Sequence, residues 1–362
     1  MTEQELALKR VKMLDALERN RLAALRLRRV DWFSWATCGG SSMVILTAES
    51  GVGEVLVTRQ GAWVLTDDIE AERLRQEEVP AGLTVLAGPW NSRAERDAFV
   101  AEQAGGGLVA SDRPTAGEWP LPPELVSAKR RLLDGELERY RALGRDAGEA
   151  VTETLTRAQP DWTELQLAGA AAEALWRRGI HPALTLVAGE RRLPIFRHPT
   201  AGPDRLDGRA MLVVCGRRHG LYANLTRFVY FRQPTVEERR LADHVAEVEA
   251  VAWVASTPGA NLETVYNAIV AAYARLGHPG AEMFHHQGGT TGYLGRELIA
   301  VPGLRATMQA NTALAWNPSL RGSKIEDTVV TSDRGIEILT ADPAWPTRMV
   351  AGRPRPDLLI RA

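Results

Sequence analysis

Apolar residues recur at helical spacing near the start of the chain, at Leu6, Val11, Leu14, Leu17 and Leu22, and predict a helix over residues 3–27. Two apolar runs between glycine-containing turns, SSMVILTAES (41–50) and GEVLVTRQGAWVLTD (53–67), read as strands. ERLRQEEV (72–79) reads as a polar helix and LTVLAG (83–88) as a strand. SRAERDAFVAEQAG (92–105) reads as a further helix leading into GLVASD (107–112). Strands alternating with helices predict a small α/β domain with a mixed sheet.

The pattern then breaks. RPTAGEWPLPPEL (113–125) holds four prolines, which forbid a continuous helix and suit an exposed connection, so the domain boundary is placed here: 1–125 and 126–362. Beyond it lies an internal repeat. AQPDWTELQLAGAAAEALWRRGI (158–180) and STPGANLETVYNAIVAAYARLGH (256–278) each run 19 positions from a proline, Pro160 or Pro258, to a glycine, Gly179 or Gly277. Each carries an acidic residue in its first turn, Glu164 or Glu263, and each follows a long helical pattern, 136–157 or 236–255. Each half therefore reads as helix, proline-containing turn, helix, glycine stop, strands.

Composition narrows the function classes. The 362 residues are 45% hydrophobic and 25% charged, the balance of a globular soluble protein. Lys plus Arg (44) and Asp plus Glu (45) nearly cancel, so no bulk electrostatic partner such as nucleic acid is expected. No run approaches the roughly 18 apolar residues of a membrane span, and the charged amphipathic start is unlike a signal peptide. Two cysteines, Cys38 and Cys215, are too few for a disulfide framework, so a cytoplasmic location is expected. HHQGGTTG (285–292) does not follow a phosphate-loop spacing.

Two longer strings carry chemistry. GRAMLVVCGRRHGLYANLTRFVYF (208–231) resembles the strand pair G-D-x-(apolar)₃-D-x-G…G-Y-x-x-D-(apolar)-T-R of the aminopeptidase P, prolidase and creatinase family. WNPSLRGSKIEDTVVTSDRGIEILT (316–340) resembles that family's E-P…G-(I/S)-R-I-E-D-x-(apolar)₂-x-T…G-x-E-x-L-T. The resemblance spans roughly 128–345 and implies an α+β chain: a pita-bread domain with a pseudo-twofold repeat, preceded by a smaller α/β domain. It also implies a homodimer.

Active peptidases of this family hold two divalent ions with two Asp, one His and two Glu, and acidify a water between them. Carried over, the first Asp falls at Cys215 or Val214, the second at Asn224, the His at Gly289 and the first Glu at Asn317. The final Glu remains as Glu326. A neutral amide and a glycine cannot offset the charge of two cations, so no metal and no cofactor are expected. A single ion on His286, Cys215 and Glu326 is a further arrangement.

Creatinase, a metal-free relative, has a cysteine at the first Asp position and a histidine as acid and base. His198 precedes Cys215 by 17 residues, matching that spacing. Imidazole titrates near neutrality, so His198 is the expected acid/base. Glu326 is expected to orient water or bind a cationic group. Arg227 and Arg296 are expected to hold a substrate carboxylate. His285 matches a family histidine that binds substrate; His286, Asn224, Asn317 and Cys215 complete the expected pocket. Thr226 replaces the Glu that creatinase carries before its Arg, which points away from creatine itself and toward another small amidine, amide or amino-acid derivative. The expectation is a metal-independent hydrolase of a small C–N-bond substrate. The alternatives are a non-catalytic relative binding a small ligand, short peptide or protein partner, and a metal-dependent Xaa-Pro peptidase with an atypical site.

Overall fold

The computed structural model describes residues 2–361 and divides into two compact units. One comprises residues up to Leu137 with the turn His219–Leu221; the other comprises Glu138–Arg218 and the chain from Tyr222 onward. The proline-rich run 113–125 lies within the first unit.

In the first unit α1 (Thr2–Arg19) stops earlier than its apolar spacing suggests. The chain turns through Arg21, at φ +54°, and returns as β1 (Ala24–Arg29). Leu25 and Leu27 are buried with strand alternation, and Arg26 between them is held by Glu54 and Asp97. A helix continued to residue 27 would separate those charges. After α2 (Val30–Ala36), the run 41–50 is not a strand: Val44, Ile45 and Leu46 are exposed in a turn, and only Ser50 joins β2 (Ser50–Thr58).

The remaining elements are β3 (Ala62–Asp67), the short α3 (Ala71–Arg73) continuing through Leu74–Glu78, β4 (Thr84–Gly88), α4 (Ala94–Ala104), β5 (Val109–Ser111), β6 (Glu118–Pro120) and α5 (Pro123–Lys129). The strands form one mixed sheet in the order β4-β3-β2-β1-β5-β6. Both sides of β1 and β2, the strands next to residues 41–49 in sequence, are taken by neighbouring strands.

The second unit is built twice from one plan. α6 (Asp134–Arg157) and α7 (Glu164–Trp176) lead into β7 (His181–Gly189), β8 (Arg209–Arg218) and β9 (Leu221–Tyr230). α8 (Val236–Ala255) and α9 (Leu262–Arg275) lead into β10 (Gly288–Thr290), β11 (Leu298–Ile299) and β12 (Ala313–Trp316). Next come the hairpin β13 (Ser319–Leu320) and β14 (Ser323–Lys324), then β15 (Asp327–Ser332) and β16 (Gly335–Ile338). The chain closes with the hairpin β17 (Thr347–Val350) and β18 (Arg353–Pro356), and β19 (Leu359–Ile360). One sheet runs β19-β9-β8-β7 and the other β11-β10-β12-β15-β16.

The repeat has a physical basis. Thr163 and Asn261, each three residues after its proline, cap α7 and α9 by accepting a backbone N–H. Glu164 then accepts the N–H of Gly202 at 2.9 Å, and Glu263 that of Gly303 at 2.8 Å. The acidic residue of the repeat therefore pins a returning loop in both halves. Val245, Trp253, Val265, Ile269 and Tyr273 of α8 and α9 pack with Leu314, Trp316 and Val329 of the five-stranded sheet into one core.

Register in the β8–β9 hairpin is fixed at both ends. The two-residue turn His219-Gly220 has φ of +52° and +78°, the primed geometry that suits strand twist. At the far end Phe231 N–H donates to Gly208 O at 2.9 Å. Cys215 therefore stands directly opposite Asn224, and their side chains share a face.

Candidate functional site

The two sheets of the second unit are joined where β9 meets the residues before β15. Thr226 N–H donates to Glu326 O at 3.0 Å, and Asn224 N–H donates to Thr328 Oγ1 at 2.7 Å. This junction buries Glu326, which is 1% exposed. Lys324 precedes it by two residues, the spacing that puts side chains on one face of an extended segment. Its ammonium lies 3.0 Å from Oε2, where Thr226 Oγ1 also donates at 3.2 Å, and Arg296 takes Oε1. Burial pushes the Glu326 carboxyl up, but Lys324 and Arg296 outweigh it and hold the pKa at about 2. Both oxygens of this carboxylate are engaged, and Glu326 anchors the side-chain cations of Lys324 and Arg296.

His198, on the loop after β7, meets His285 and His286, which precede β10. Nε2 of His198 and Nε2 of His285 are 2.9 Å apart. The rings of His198 and His285 meet edge to face at 4.7 Å, and those of His285 and His286 stack at 4.5 Å. His285 is buried and His198 is exposed. Burial, then the charge of Lys324, drives the His285 pKa down to about 3. Burial, then Arg296, drives that of His286 to about 4. The same two effects, burial first and Lys324 second, lower His198. Nδ1 of His285 and Nδ1 of His286 are buried without a hydrogen-bond partner.

The other residues matched to the family's ligand set are buried or constrained. Asn224 Nδ2 donates to Thr291 Oγ1 at 3.0 Å, while its Oδ1 has no partner. Asn317, 2% exposed, likewise leaves Oδ1 unpaired. The Cys215 thiol is pushed up to about 12 by burial and by the charge of Glu326. Gly289 has φ +154°, and a β-carbon there would stand 2.1 Å from Leu298 O, across the β10–β11 pairing. The backbone has closed over that position, and no side chain fits.

Arg227 is engaged within the fold. Its guanidinium is buried, donating to Asp327 Oδ1 at 2.7 Å, to Thr340 O at 3.1 Å and to Thr226 O at 3.0 Å. Asp327 is shared with Arg355, which pairs with Glu249. This is a structural charge network, and the expectation that Arg227 holds a substrate carboxylate is corrected. Arg296 stays beside Glu326, with Nη1 on its neighbour's Gly295 O and Nε unpaired. Lys324 was missed in the sequence, although it stands at the Arg position of the quoted motif and at strand spacing from Glu326.

Two concavities flank this region. A pocket of about 450 Å³ is bordered by Arg197 and Phe284, the neighbours in sequence of His198 and His285. A groove of about 670 Å³ between α8, α9 and the β17–β18 hairpin is larger but lies away from the histidines. Among the described residues no helix is long and apolar enough to cross a membrane.

Comparison with known proteins agrees with this architecture. An X-Pro aminopeptidase from Thermotoga maritima MSB8 superposes with a TM-score of 0.78 at 16% identity, covering 97% of this chain and 99% of that one. The dipeptidase PepE from Mycobacterium ulcerans gives 0.78 at 17% identity, covering 99% of each. The N-terminal domain of the FACT complex subunit SPT16 from Cicer arietinum gives 0.69 at 11% identity, covering 94% of this chain and 96% of that one. These likenesses establish the fold: a pita-bread domain after a smaller α/β domain. No curated protein matches in sequence. The sequence model described as metallopeptidase family M24 matches residues 138–333, more than half of the chain, and the chain belongs to that family.

Proposed function

We propose that this chain works without the family's pair of metal ions, as a hydrolase of a small C–N-bond substrate with His198 as acid and base. The observation that carries the reading is the 2.9 Å contact between His198 Nε2 and His285 Nε2, which ties an exposed imidazole to a buried one. The donors do not fit two divalent cations. Two of the five matched positions present neutral amides, one is a glycine with no room for a side chain, and the thiol of Cys215 stays protonated. The remaining carboxylate, Glu326, already carries Lys324 and Arg296.

In this reading His198 takes a proton from water as the water oxygen bonds to the substrate carbon. The C–N bond then breaks, and the same proton passes to the leaving nitrogen. Two cations against one carboxylate leave the pocket with net positive charge, which suits a substrate carboxylate. The unpaired Oδ1 atoms of Asn224 and Asn317 are acceptors that suit N–H donors. The substrate class is therefore an acylated or amidinated amino acid. The homodimer implied by the resemblance is part of this proposal and is checked by light scattering.

A second reading, a non-catalytic ligand-binding relative, is favoured by the saturation of Glu326. The test is a panel of Xaa-Pro dipeptides, creatine, and N-carbamoyl and N-amidino amino acids, incubated with chelator-treated protein and followed by mass spectrometry. Turnover that survives chelation and disappears in His198→Ala supports the hydrolase. Turnover that needs added manganese, or that persists in His198→Ala, sinks it. Binding of a panel member without turnover moves the assignment to the second reading.

A further inference from the structure

We infer that His198, His285 and His286 form a three-nitrogen site for one borderline transition ion, zinc or copper(II), with a ligand set separate from the family's carboxylate pair. One ring nitrogen from each residue lies within 4.8 Å of the others, and among the described residues this is the only such group of His, Cys, Asp or Glu. Zinc–imidazole bonds are about 2.0–2.1 Å long, so nitrogens 2.9 Å apart can reach a common ion with little movement. His198 is exposed on a loop and free to supply that movement, while His285 and His286 are held by stacking.

A second observation points the same way. Nδ1 of His286 is buried with no hydrogen-bond partner, while His285 already turns its Nε2 toward His198. Buried polar atoms are seldom left so, and a bound ion is one of the few physical reasons.

The donor set selects the ion. Imidazoles without carboxylates favour zinc and copper over manganese, magnesium or calcium. Glu326 is not one of the three donors, and the charges of Lys324 and Arg296 on its two oxygens offset its own. A divalent ion on three neutral ligands keeps its full charge and draws an anionic fourth ligand such as hydroxide, chloride or a substrate carboxylate. Occupancy takes up Nε2 of His198, the nitrogen that faces His285, so the ion competes with proton transfer at that atom. The ion is then an inhibitor of that chemistry, while its own binding is independent of whether the hydrolase reading holds.

The experiment uses the full chain, stripped with chelator, titrated with zinc sulfate by calorimetry and with cobalt(II) by visible absorption. One ion per chain and a tetrahedral cobalt spectrum are expected. His198→Ala, an exposed position that leaves folding intact, should weaken binding by more than the roughly 10–100-fold typical of losing an outer partner of a metal ligand. His244→Ala is the control, because His244 and His278 form a separate histidine pair at 2.8 Å. Absence of binding overturns the site. So does binding that His198→Ala leaves unchanged, or that His244→Ala abolishes. Two manganese ions lost together in Glu326→Gln would overturn both this site and the metal-free reading, whereas zinc binding with no hydrolysis of any panel member would leave this site standing alone.

Discussion

The ammonium of Lys324 sits 3.0 Å from Glu326 Oε2, and the guanidinium of Arg296 takes the other oxygen. Two side-chain cations thus stand on one buried carboxylate. Lys324→Met should destabilise the second unit by about 3 kcal/mol, the low end for breaking a buried pair, because Arg296 stays in place. Glu326→Gln leaves two cations uncompensated and should cost more. The double variant should cost less than the two singles added together. Urea midpoints from the fluorescence of the ten tryptophans measure all three, and strict additivity would refute the clasp.

Gly289 tests how firmly β10 and β11 are closed around it. Gly289→Ala places a β-carbon 2.1 Å from Leu298 O at φ +154°, so a loss of about 3 kcal/mol or more is expected. Gly179→Ala is the comparison: its φ is +65°, but nothing lies within 4 Å, so only the left-handed backbone penalty of about 1–2 kcal/mol applies. Similar melting temperatures for the two variants would show that β10 and β11 yield readily.

Arg227 should behave as a structural residue. Arg227→Met leaves the buried Asp327 with Arg355 as its remaining ion-pair partner and should cost about 3–5 kcal/mol. Ligand affinity of the fraction that remains folded should be unchanged. A variant of native stability with weakened carboxylate binding would return Arg227 to the pocket.

The repeat and the final motif were legible because their residues act locally. Pro160 and Pro258 precede helix caps, Gly179 and Gly277 take left-handed conformations, and Glu164 and Glu263 each tie down a loop. What escaped depends on partners distant in sequence. Residues 20–27 have helical apolar spacing, yet Arg26 belongs to a strand because Glu54 and Asp97 meet it there. Arg227 could pair with a ligand or with Asp327, and only the β9–β15 junction decides. The three histidines lie 87 residues apart at their widest bonded pair, so no spacing rule could unite them.

Acid should weaken the second unit through Glu238. This carboxylate pairs with Arg232 at 2.7 Å and accepts the N–H of Thr235 at 2.7 Å, and the Arg232 hydrogen bonds, against some burial, hold its pKa at about 2 rather than near 4.5. A depressed folded pKa stabilises above the unfolded value and is lost as pH falls from about 4.5 toward about 2. Glu238→Gln keeps an acceptor for the helix cap but removes the charge. Its deficit against the native protein should be full at pH 7 and shrink as pH falls through that window. A deficit that does not depend on pH would show that the cap, not the charge, is what Glu238 supplies.

Cys215 separates a protonated thiol from a reactive one. It faces Asn224 across the hairpin and is partly accessible. Accessibility alone would make it a target for alkylation. With the thiol at about 12, however, only roughly one molecule in ten thousand carries thiolate at pH 8, and thiolate is the reacting form. Iodoacetamide should therefore modify native protein far more slowly than denatured protein. The cause is testable: burial and the negative charge of Glu326 raise this thiol, so Glu326→Gln should speed the alkylation in protein that remains folded. Cys215→Ser should leave any turnover by the native chain within about twofold, since the proposed chemistry asks nothing of the sulfur. Rapid alkylation coupled to loss of turnover would instead make Cys215 a nucleophile and displace His198 from its assigned role.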